Sequence, residues 1–470
     1  MNKQLLFVFS LLIVFIAATS YGQRELGVST GEYGALNSMF LNPANISGSH
    51  EKVEVNLFSL NLAVDNNLGT LPNLSNIGNS SVFNVSGTKP FSMLAPVADV
   101  RLPAVMISLN DKLKQSFAFS IRARGFDQLN HFDPNLFTTA TSGDHTSSVN
   151  YDYQSNNFNW TLHAWSETGI TYALQLLDNG PHNIKAGVTL KYLGGITYLS
   201  VKGKNLDVSY TSGSDTFYAN HSDLEFASNA ISSTSAVNNG IQTSDVLRSL
   251  FDSKAGSGFG MDIGVTYTYQ IGSEDGKDNI DGHRLKGSIA VTDIGAINYK
   301  GSNNFVVNVA GNGYLTGTGL ATNINNWNDF RNYMVTQGFT ADTGAKATKL
   351  YMPTALVVGG DYQVYQRFFV NATYIANLAN RQNLGNSYYN QFTLTPRYDS
   401  KLVSVGLPIT YSSLANDIKV GFGFRIAGFF LGSDDMLALF SSNQRGFNFY
   451  FGGFIPIYKK AAKDQFGTAE

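Results

Sequence analysis

The stretch Phe259–Ile271 reads Phe-Gly-Met-Asp-Ile-Gly-Val-Thr-Tyr-Thr-Tyr-Gln-Ile. Its odd-numbered positions are large and apolar, whereas its even-numbered positions are small or polar. Because side chains alternate across a β-strand, this segment would present one apolar face and one polar face. It is longer than the usual ~5–6-residue strand of a soluble sheet, and about 9–11 tilted residues cross a bilayer as a strand. The stretch therefore predicts one spanning strand of an outer-membrane β-barrel.

The composition of the chain agrees with a membrane barrel and excludes other classes. Charged side chains are 14% of the 470 residues, compared with roughly 25% in soluble domains. Aromatic residues are 13%, mostly Phe and Tyr, and rings with a polar tip suit a membrane–water interface. The net charge of -2 gives no basis for nucleic-acid binding. The absence of cysteine excludes disulfides, thiolate metal sites, a cysteine nucleophile and a lipidated cysteine anchor.

Residues 1–22 have the pattern of a secretory signal peptide. Lys3 precedes the apolar run Leu5–Ala18, which is too short to span a membrane as a helix. Small residues at Ser20 and Gly22 suit cleavage before Gln23, with Ala18 as an alternative. No later stretch approaches ~20 consecutive apolar residues, so no transmembrane helix is predicted. Only helices and closed barrels satisfy their backbone in lipid, so the exported chain is either soluble or a barrel.

Further segments repeat the length and alternation of the first. They are Val53–Val64, Val97–Leu109, Phe117–Phe126, Asn159–Leu177, Ile184–Leu193, Leu285–Tyr299, Met352–Val364, Phe368–Ala379, Tyr388–Tyr398, Leu402–Tyr411, Ile418–Phe430 and Phe447–Ile457. The short apolar piece Met436–Phe440 is either another strand or a small helix. Bacterial single-chain barrels have even strand numbers. We therefore predict an all-β fold, a transmembrane antiparallel β-barrel of about 14 strands.

The lengths of the connections support this count. A chain that starts in the periplasm and alternates would place its short connections inside, at 110–114, 178–183, 272–283, 365–367, 399–401 and 431–435. It would place its long connections outside, at 66–96, 127–157, 201–257 and 300–350. Short periplasmic turns and long extracellular loops are typical of such barrels. The predicted organisation is a signal peptide at 1–22, a hatch or plug at 23–51, a barrel at 52–458 and a polar periplasmic tail at 459–470.

Charged residues fall on the polar phase of several predicted strands. They are Arg122, Arg124, Lys185, Lys191, Asp262, Lys419 and Arg425. A charge that faces lipid costs ~2–4 kcal/mol at the bilayer midplane, so we expect these side chains to line the lumen. They form either a polar constriction that ligands pass or a salt-bridge network that rigidifies the wall and holds the plug. The network is favoured, because a polar interior is general in barrels.

The triplet Asp293-Ile294-Gly295 interrupts a predicted strand. The apolar positions of Leu285–Val291 share one phase, whereas Ile294 and Ala296 take the other. A phase change beside a glycine indicates a bulge or kink. Such a kink opens a gap in the barrel wall or bends the strand at its rim, and the bend is the favoured interpretation.

Motifs for catalysis or metal binding are not evident in the sequence. The histidines are scattered, and none forms a His-x-x-x-His pair. Glu274–Gly282 is similar to a calcium loop, but the register that puts Gly282 sixth places Lys277 at the first ligand position. No nucleophile elbow or phosphate loop is present. We therefore expect no enzyme activity, no metal and no cofactor.

Three features make the chain similar to the FadL/PorV-like outer-membrane barrels, and to an uncharacterised branch found in bacteria with type IX secretion. They lie in Phe40–Asn45, in Val291–Tyr299 and in the closing strands Gly421–Arg425 and Phe449–Ile457. The first resembles the Asn-Pro-Ala signature of the FadL hatch. The second resembles a mid-barrel Asp-Leu-Gly-Phe-Ile-x-Trp pattern, in which Ala296 and Tyr299 here replace the aromatic residue and the Trp.

The resemblance implies 14 strands and a hatch inside the barrel, with Asn42, Pro43 and Ala44 as hatch residues. FadL-type members take up hydrophobic molecules, which leave sideways through a wall gap, and here Asp293–Gly295 would form that exit. PorV-type members dock onto secretion machinery, which makes a scaffold with protein-binding outer loops the alternative. The expected partners are outer-membrane lipid with either a hydrophobic ligand or a protein. A barrel lipase or protease is disfavoured, because no nucleophile–base grouping stands out.

Overall fold

Short helices precede a long series of antiparallel strands. In the computed structural model of the protein, the described residues are 25–70, 84–85, 89–110, 113–135, 137, 150–155, 157–211, 213–214, 216–229, 255–270, 284–300, 304–316, 319, 327–344, 347–381, 383–439 and 445–459. The predicted signal peptide, the connection 272–283 and most of the C-terminal tail lie outside these residues. The helices are α1 Leu26–Ser29, α2 Ala35–Ser38 and α3 Trp327–Thr336, with 3-10 turns at Pro43–Ile46 and Met436–Leu439.

The strands are numbered in chain order. The first twelve are β1 Glu51–Asn66, β2 Gly69–Thr70, β3 Asn84–Val85, β4 Phe91–Arg101, β5 Ala104–Asn110, β6 Gln115–Phe132, β7 Tyr151–Ser155, β8 Asn159–Asn179, β9 His182–Tyr210, β10 Thr216–Ser228, β11 Gly256–Tyr269 and β12 Leu285–Tyr299. The others are β13 Phe305–Thr316, β14 Thr340–Gly344, β15 Thr348–Tyr351, β16 Ala355–Tyr365, β17 Phe368–Asn377, β18 Gln391–Asp399, β19 Val403–Gly406, β20 Ile409–Ser412, β21 Asp417–Val420, β22 Phe422–Ile426, β23 Phe429–Ser433 and β24 Gly446–Tyr458.

These strands close into the predicted barrel. Four wall strands are interrupted and count once each, namely β4 with β5, β15 with β16, β19 with β20 and β21 with β22, which gives 14 antiparallel strands round the wall. The wall closes where β1 pairs with β24, from Glu51 opposite Tyr458 to Asp65 opposite Gly446. Closure leaves no unpaired strand edge in the wall, which is what a sheet inside a bilayer requires.

The alternation of the sequence separates the two faces of the wall. Phe259 on β11 is 79% exposed on the outer face, whereas Asp262 on the same strand is 3% exposed inside. Ile263 and Val265 also face outward, and Thr266 faces inward. An apolar outer face around a closed barrel is the form that spans an outer membrane, so the chain is an outer-membrane protein. Among the described residues, no helix combines the length and apolar character needed to span a membrane.

One predicted connection is wrong. The chain turns at Ala427–Gly428, inside the segment Ile418–Phe430 that the alternation predicts as one strand. Leu431–Asp435 is therefore not a periplasmic connection, because β23 occupies Phe429–Ser433. Apolar residues on both sides of the turn continue the alternation, which hides it. The piece Met436–Phe440 contains a 3-10 helix and does not supply the fourteenth wall strand. The additional strand is β23.

The extracellular side extends beyond the wall. The upper half of β9 pairs with β7 and β10, β10 pairs with β13, and β13 pairs with β14. Within the long connection predicted at 201–257, Asp207–Tyr210 belongs to β9 and Thr216–Ala219 belongs to β10. Helix α3 packs on this extension through buried Tyr333 and Met334. The barrel thus carries an ordered platform above the membrane.

Candidate functional site

The N-terminal segment, residues 25–50, lies inside the barrel. Leu26, Leu36, Ala44 and Ile46 are at most 2% exposed. The segment contacts wall strands on opposite sides of the barrel. Helix α1 packs on β18, β19, β22 and β23, α2 packs on β1 and β5, and the 3-10 turn packs on β6, β8, β9 and β11. The residues predicted as a hatch are therefore in the lumen.

Asn42, Pro43 and Ala44 are attached to the wall at β9, β11 and β12. The Asn42 side chain donates hydrogen bonds to the carbonyl oxygens of Val265 (3.1 Å) and Ile289 (3.3 Å). Its Oδ1 accepts the Ala44 backbone N–H at 2.9 Å, which starts the 3-10 turn. Since one amide both caps its own turn and bonds two wall strands, this attachment is specific to asparagine.

Two wall glycines make room for this attachment. A Cβ atom at Gly187 on β9 would collide with the backbone of Pro43, and one at Gly264 on β11 would collide with Asn42 Oδ1. Glycine is therefore required at these two positions, because any side chain there would keep the N-terminal segment away from the wall.

Replacing Gly264 by Val is expected to displace the N-terminal segment from the wall. Overpacking of this kind costs about 1–3 kcal/mol, so we expect chymotrypsin to cleave after Tyr33 or Phe40 roughly tenfold faster or more. Gly360→Val is the matched control, because nothing lies within 4 Å of a Cβ there. Equal cleavage rates in the two variants would show that the contact at Gly264 does not hold the segment.

A second attachment holds α1 to the other side of the barrel. The Asp434 carboxylate accepts the backbone N–H groups of Leu26 (3.1 Å) and Gly27 (3.3 Å). A Cβ atom at Gly406 or Gly423 would collide with the backbone of Gly27. When the 14 wall strands are counted from β1, the fifth is β9 and the sixth is β11. The eleventh contains β19 and the twelfth contains β22. The segment therefore bridges nearly opposite walls.

Burial raises the pKa of two acids at this second attachment. The pKa of Glu25 is raised to about 7, although Arg101 opposes the shift, and the pKa of Asp434 is raised to about 6. A raised pKa means that the folded state binds the proton more tightly than the unfolded chain. The stabilisation is therefore complete below about pH 4 and is lost as the pH rises through 6 to 7.

We expect the thermal unfolding midpoint of the protein to fall between pH 5 and pH 8 in part because of these two acids. In the variant Glu25→Gln/Asp434→Asn, neither side chain titrates, so the fall in midpoint should be smaller than in the wild type. Differential scanning calorimetry at both pH values measures the difference. A variant whose midpoint falls as much as that of the wild type would contradict the assignment.

A layer of buried ion pairs lines the lumen above the Asn42 attachment. Lys191 contacts three carboxylates, Asp262 at 2.8 Å, Asp293 at 2.9 Å and Glu167 at 3.6 Å. Arg124 contacts Glu167 and Asp293, each at 3.0 Å. These side chains come from β6, β8, β9, β11 and β12, so the layer ties neighbouring wall strands together. We call it the ion layer.

The ion layer continues to the N-terminal segment. Arg122 pairs with Asp99 at 2.5 Å, and Arg101 pairs with Glu25 at 2.8 Å. The Phe40 ring is 4.5 Å from the Arg101 guanidinium carbon. The segment and the wall therefore share one electrostatic network.

Other buried ion pairs lie on the opposite wall. Arg397 pairs with Asp361 at 2.5 Å, Arg425 lies 3.4 Å from Asp399, and Lys419 lies 3.0 Å from Asp65. The described part of the chain contains no cluster of three His, Asp or Glu side chains able to hold a metal ion.

The structure brings most of the predicted lumen residues into these pairs. Arg122, Arg124, Lys191, Asp262, Lys419 and Arg425 are each at most 6% exposed. Lys185 is half-buried and lines a separate cavity near the periplasmic end. Sequence reasoning missed Asp99, Arg101 and Glu167. Their signal was available, since Asp99 and Arg101 stand two residues apart on one predicted strand.

A bulge in the middle of β12 falls on Thr292 and Asp293, where the predicted triplet Asp293-Ile294-Gly295 begins. On β11, Met261 pairs with Ile294 and Ile263 pairs with Val291. Asp262, which lies between them, is therefore opposite both Thr292 and Asp293. Asp293 has φ 57° and Gly295 has φ 148°, both left-handed. On the other side of β12, β15 ends at Tyr351 and β16 begins at Ala355, so the neighbouring strand is also interrupted here. We call this place the wall break.

Few hydrogen bonds hold the wall break closed. The Met352 N–H donates to the Gly295 carbonyl at 3.0 Å, and the Thr354 hydroxyl donates to the Asp293 carbonyl at 2.9 Å. The regular ladder resumes at Thr292 opposite Ala355. The break is therefore a short closed seam between two regularly paired regions.

An extracellular loop folds inward onto the ion layer. This inner loop comprises residues 378–381 and 383–390 between β17 and β18. Tyr388, predicted as the first residue of a strand, instead lies in the lumen at 5% exposure, since β18 begins at Gln391. Its hydroxyl accepts a hydrogen bond from Arg124 and donates to Asp293 at 3.4 Å. Ser387 exchanges two hydrogen bonds with Gln128 on β6.

The inner loop is also bonded to the wall break. The Leu384 carbonyl accepts the Tyr351 N–H at 2.9 Å. The Thr354 carbonyl accepts the N–H groups of Leu378 (2.9 Å) and Ala379 (3.1 Å). Both flanks of the break are therefore held by a loop that reaches the centre of the lumen.

On the extracellular side of the ion layer, the interior contains a buried apolar cluster. Phe126, Trp165, Tyr198, Tyr299 and Tyr388 belong to one buried cluster. The same cluster contains residues that flank the wall break, namely Ala290, Ile297, Leu350, Met352 and Ala355. This apolar cluster therefore extends from the upper lumen to the break.

Solved structures of similar proteins are distant from this chain. The CymD monoaromatic hydrocarbon channel is 12% identical with a TM-score of 0.41, over 91% of this chain and 94% of that chain. A Pseudomonas aeruginosa FadL homologue is 11% identical with a TM-score of 0.39, over 90% of this chain and 94% of that chain. The Ralstonia pickettii toluene transporter TbuX is 12% identical with a TM-score of 0.41, over 91% and 95%. No curated protein matches the chain. Residues 43–434 match the family described as a family of unknown function, DUF5723.

Proposed function

Since the chain belongs to the DUF5723 family, whose function is unknown, we propose from its geometry that it admits small hydrophobic molecules into the outer membrane. They enter the apolar upper lumen from outside and leave sideways through the wall break at Asp293–Gly295. The N-terminal segment acts as the hatch that closes the periplasmic side. This is a FadL-like mode of passage.

The observation that carries this proposal is the apolar interior that ends at the wall break. A general porin lumen is polar and filled with water. Here buried aromatic rings occupy the upper lumen, and Met352, Ile297 and Leu350 continue the apolar surface to the break. An apolar solute gains about 25 cal/mol per Å² of surface removed from water, so it would partition into such an interior.

The ion layer supports sideways rather than downward passage. Lys191, Arg124 and their carboxylates lie directly below the apolar cluster. Opening this layer would separate buried charges, which costs several kcal/mol per unpaired ion. Below it, the N-terminal segment is attached to two opposite walls. Opening the break requires only the Met352 and Thr354 hydrogen bonds to part, together with the contacts of the inner loop.

Uptake of a fluorescent fatty acid and of a small sugar into proteoliposomes tests the proposal. We expect the wild type to pass the fatty acid and not the sugar. Gly295→Val should lower fatty-acid uptake several-fold, because a β-branched residue disfavours φ 148° and its Cβ would collide with the backbone of Phe259, which distorts the strand beside the break. Gly287→Val on the same strand is the control, since nothing lies within 4 Å of a Cβ there. Uptake unchanged by Gly295→Val would count against the break as the exit.

The extracellular platform favours a second candidate, a PorV-like scaffold that holds another protein. Tyr218 on β10 and Tyr314 on β13 are directly paired and are 48% and 46% exposed. Paired exposed tyrosines above a membrane are typical of protein contacts. The scaffold would be favoured if the wild type binds a stoichiometric protein partner and shows no uptake activity. The variant Tyr218→Ser/Tyr314→Ser should then no longer bind that partner.

A further inference from the structure

A polar cavity opens under the N-terminal segment at the periplasmic end of the barrel. Its volume is about 100 Å³. The charged side chains and the histidine that line it are Glu32, His50, Lys114, Lys185 and Lys286. A single water molecule requires about 10–15 Å³ of such cavity volume, so an ion of several heavy atoms fits.

The cavity is lined by more cationic than anionic side chains. Lys185 makes no ion pair or hydrogen bond with any described residue. Lys286 lies 3.7 Å from Glu32, but that carboxylate is also 3.7 Å from Arg397. The cavity is therefore lined by three lysines and one carboxylate, and a buried arginine already engages that carboxylate. Like charges gathered in a half-buried site repel each other unless an anion joins them.

The cavity is built from several separate parts of the fold. Lys114 stands on the turn between β5 and β6, Lys185 on β9 and Lys286 on β12. Gly48 of the N-terminal segment forms the roof, with φ 66°, and a Cβ there would lie 3.3 Å from Lys185 Nζ. Neutral polar groups complete the lining, namely Ser38, Asn45, Ser49, Asn183, Thr266, Thr268 and Gln270.

We propose that this cavity binds a small oxyanion, a phosphate or carboxylate group, between Lys114, Lys185 and Lys286. The bound anion joins the roof at Gly48 to β9 and β12, so it fastens the underside of the N-terminal segment to the wall. Ammonium groups hold such oxyanions as point charges with several rotatable donors. A free periplasmic anion and a lipid head group offer the same chemistry. The site does not depend on passage of any solute.

Titration of the full-length protein in detergent with inorganic phosphate tests this site. Ionic strength is kept constant with sodium chloride, so that general screening does not change. We expect saturable binding by calorimetry and a rise in the thermal unfolding midpoint. Lys185→Gln and Lys286→Gln should each weaken binding at least tenfold. Lys52→Gln is the control, because Lys52 is an exposed lysine at the same end of the barrel.

The source of the anion follows from the same titration in nanodiscs. If the head group is the ligand, phosphatidylglycerol nanodiscs should weaken phosphate binding relative to phosphatidylcholine nanodiscs. If a free anion is the ligand, both lipids should give equal phosphate binding. Each variant is first shown to be folded by its heat-dependent shift in gel mobility. Absence of saturable binding, or binding unchanged in Lys185→Gln and Lys286→Gln, would overturn the site and leave the uptake proposal untouched.

Discussion

Oxidation of the variant Thr292→Cys/Ala355→Cys is expected to lower uptake of a hydrophobic solute at least tenfold, and reduction should restore it. Thr292 and Ala355 are direct partners on β12 and β16, next to the wall break. Both side chains face the lumen, at 1% and 0% exposure. Directly opposed residues in an antiparallel pair have Cβ atoms within about 4.5–5.5 Å, close to what a disulfide needs. A covalent link there prevents the two strands from separating.

The native chain contains no cysteine, so the introduced pair forms the one disulfide. Thr393→Cys/Thr410→Cys is the matched control. These threonines are direct partners on β18 and β20, at a distance from the break. Both face the lumen, and their hydroxyl groups are hydrogen-bonded to each other at 2.8 Å. Oxidation of the control should leave uptake unchanged. If both disulfides lower uptake equally, general rigidity and not the break controls passage. If neither does, solutes do not leave through this seam.

The barrel itself could be predicted because its signal is local. From Phe259 to Tyr269, residues face lipid or lumen according to their own parity, as Phe259 and Asp262 show. The turn at Ala427–Gly428 could not be found in this way. Apolar residues continue on both sides of it, and alternation carries no mark of where a strand reverses when the turn is not polar.

The candidate site could be predicted only in part, because its partners are distant in sequence. Parity indicates that Lys191 and Asp262 share the inner face, but their contact depends on the register of β9 against β11. Tyr388 extends an alternating run, so local pattern assigns it to a strand. Its position is set by Arg124 and Asp293, which are 264 and 95 residues away. No window of a single sequence contains such pairings.

The ion layer gives the largest expected change in stability. Lys191→Met leaves Asp262, Asp293 and Glu167 without their shared cation, and these carboxylates lie between 2.8 and 3.6 Å from its ammonium group. Breaking a buried pair by removing one partner costs about 3–5 kcal/mol, because the remaining charges stay buried. We therefore expect a large fall in the urea midpoint of the barrel in detergent. Lys185→Met on the same strand is the control and should cost less than about 1 kcal/mol.

A second substitution separates lost charge balance from lost packing. In Lys191→Met/Asp262→Asn, one of the unpaired carboxylates becomes neutral, so part of the lost stability should return. If the loss arises from packing, the second change should add to the first, because the volume at position 191 is the same in both variants. Recovery would show that the ion layer stabilises the barrel through the balance of its buried charges.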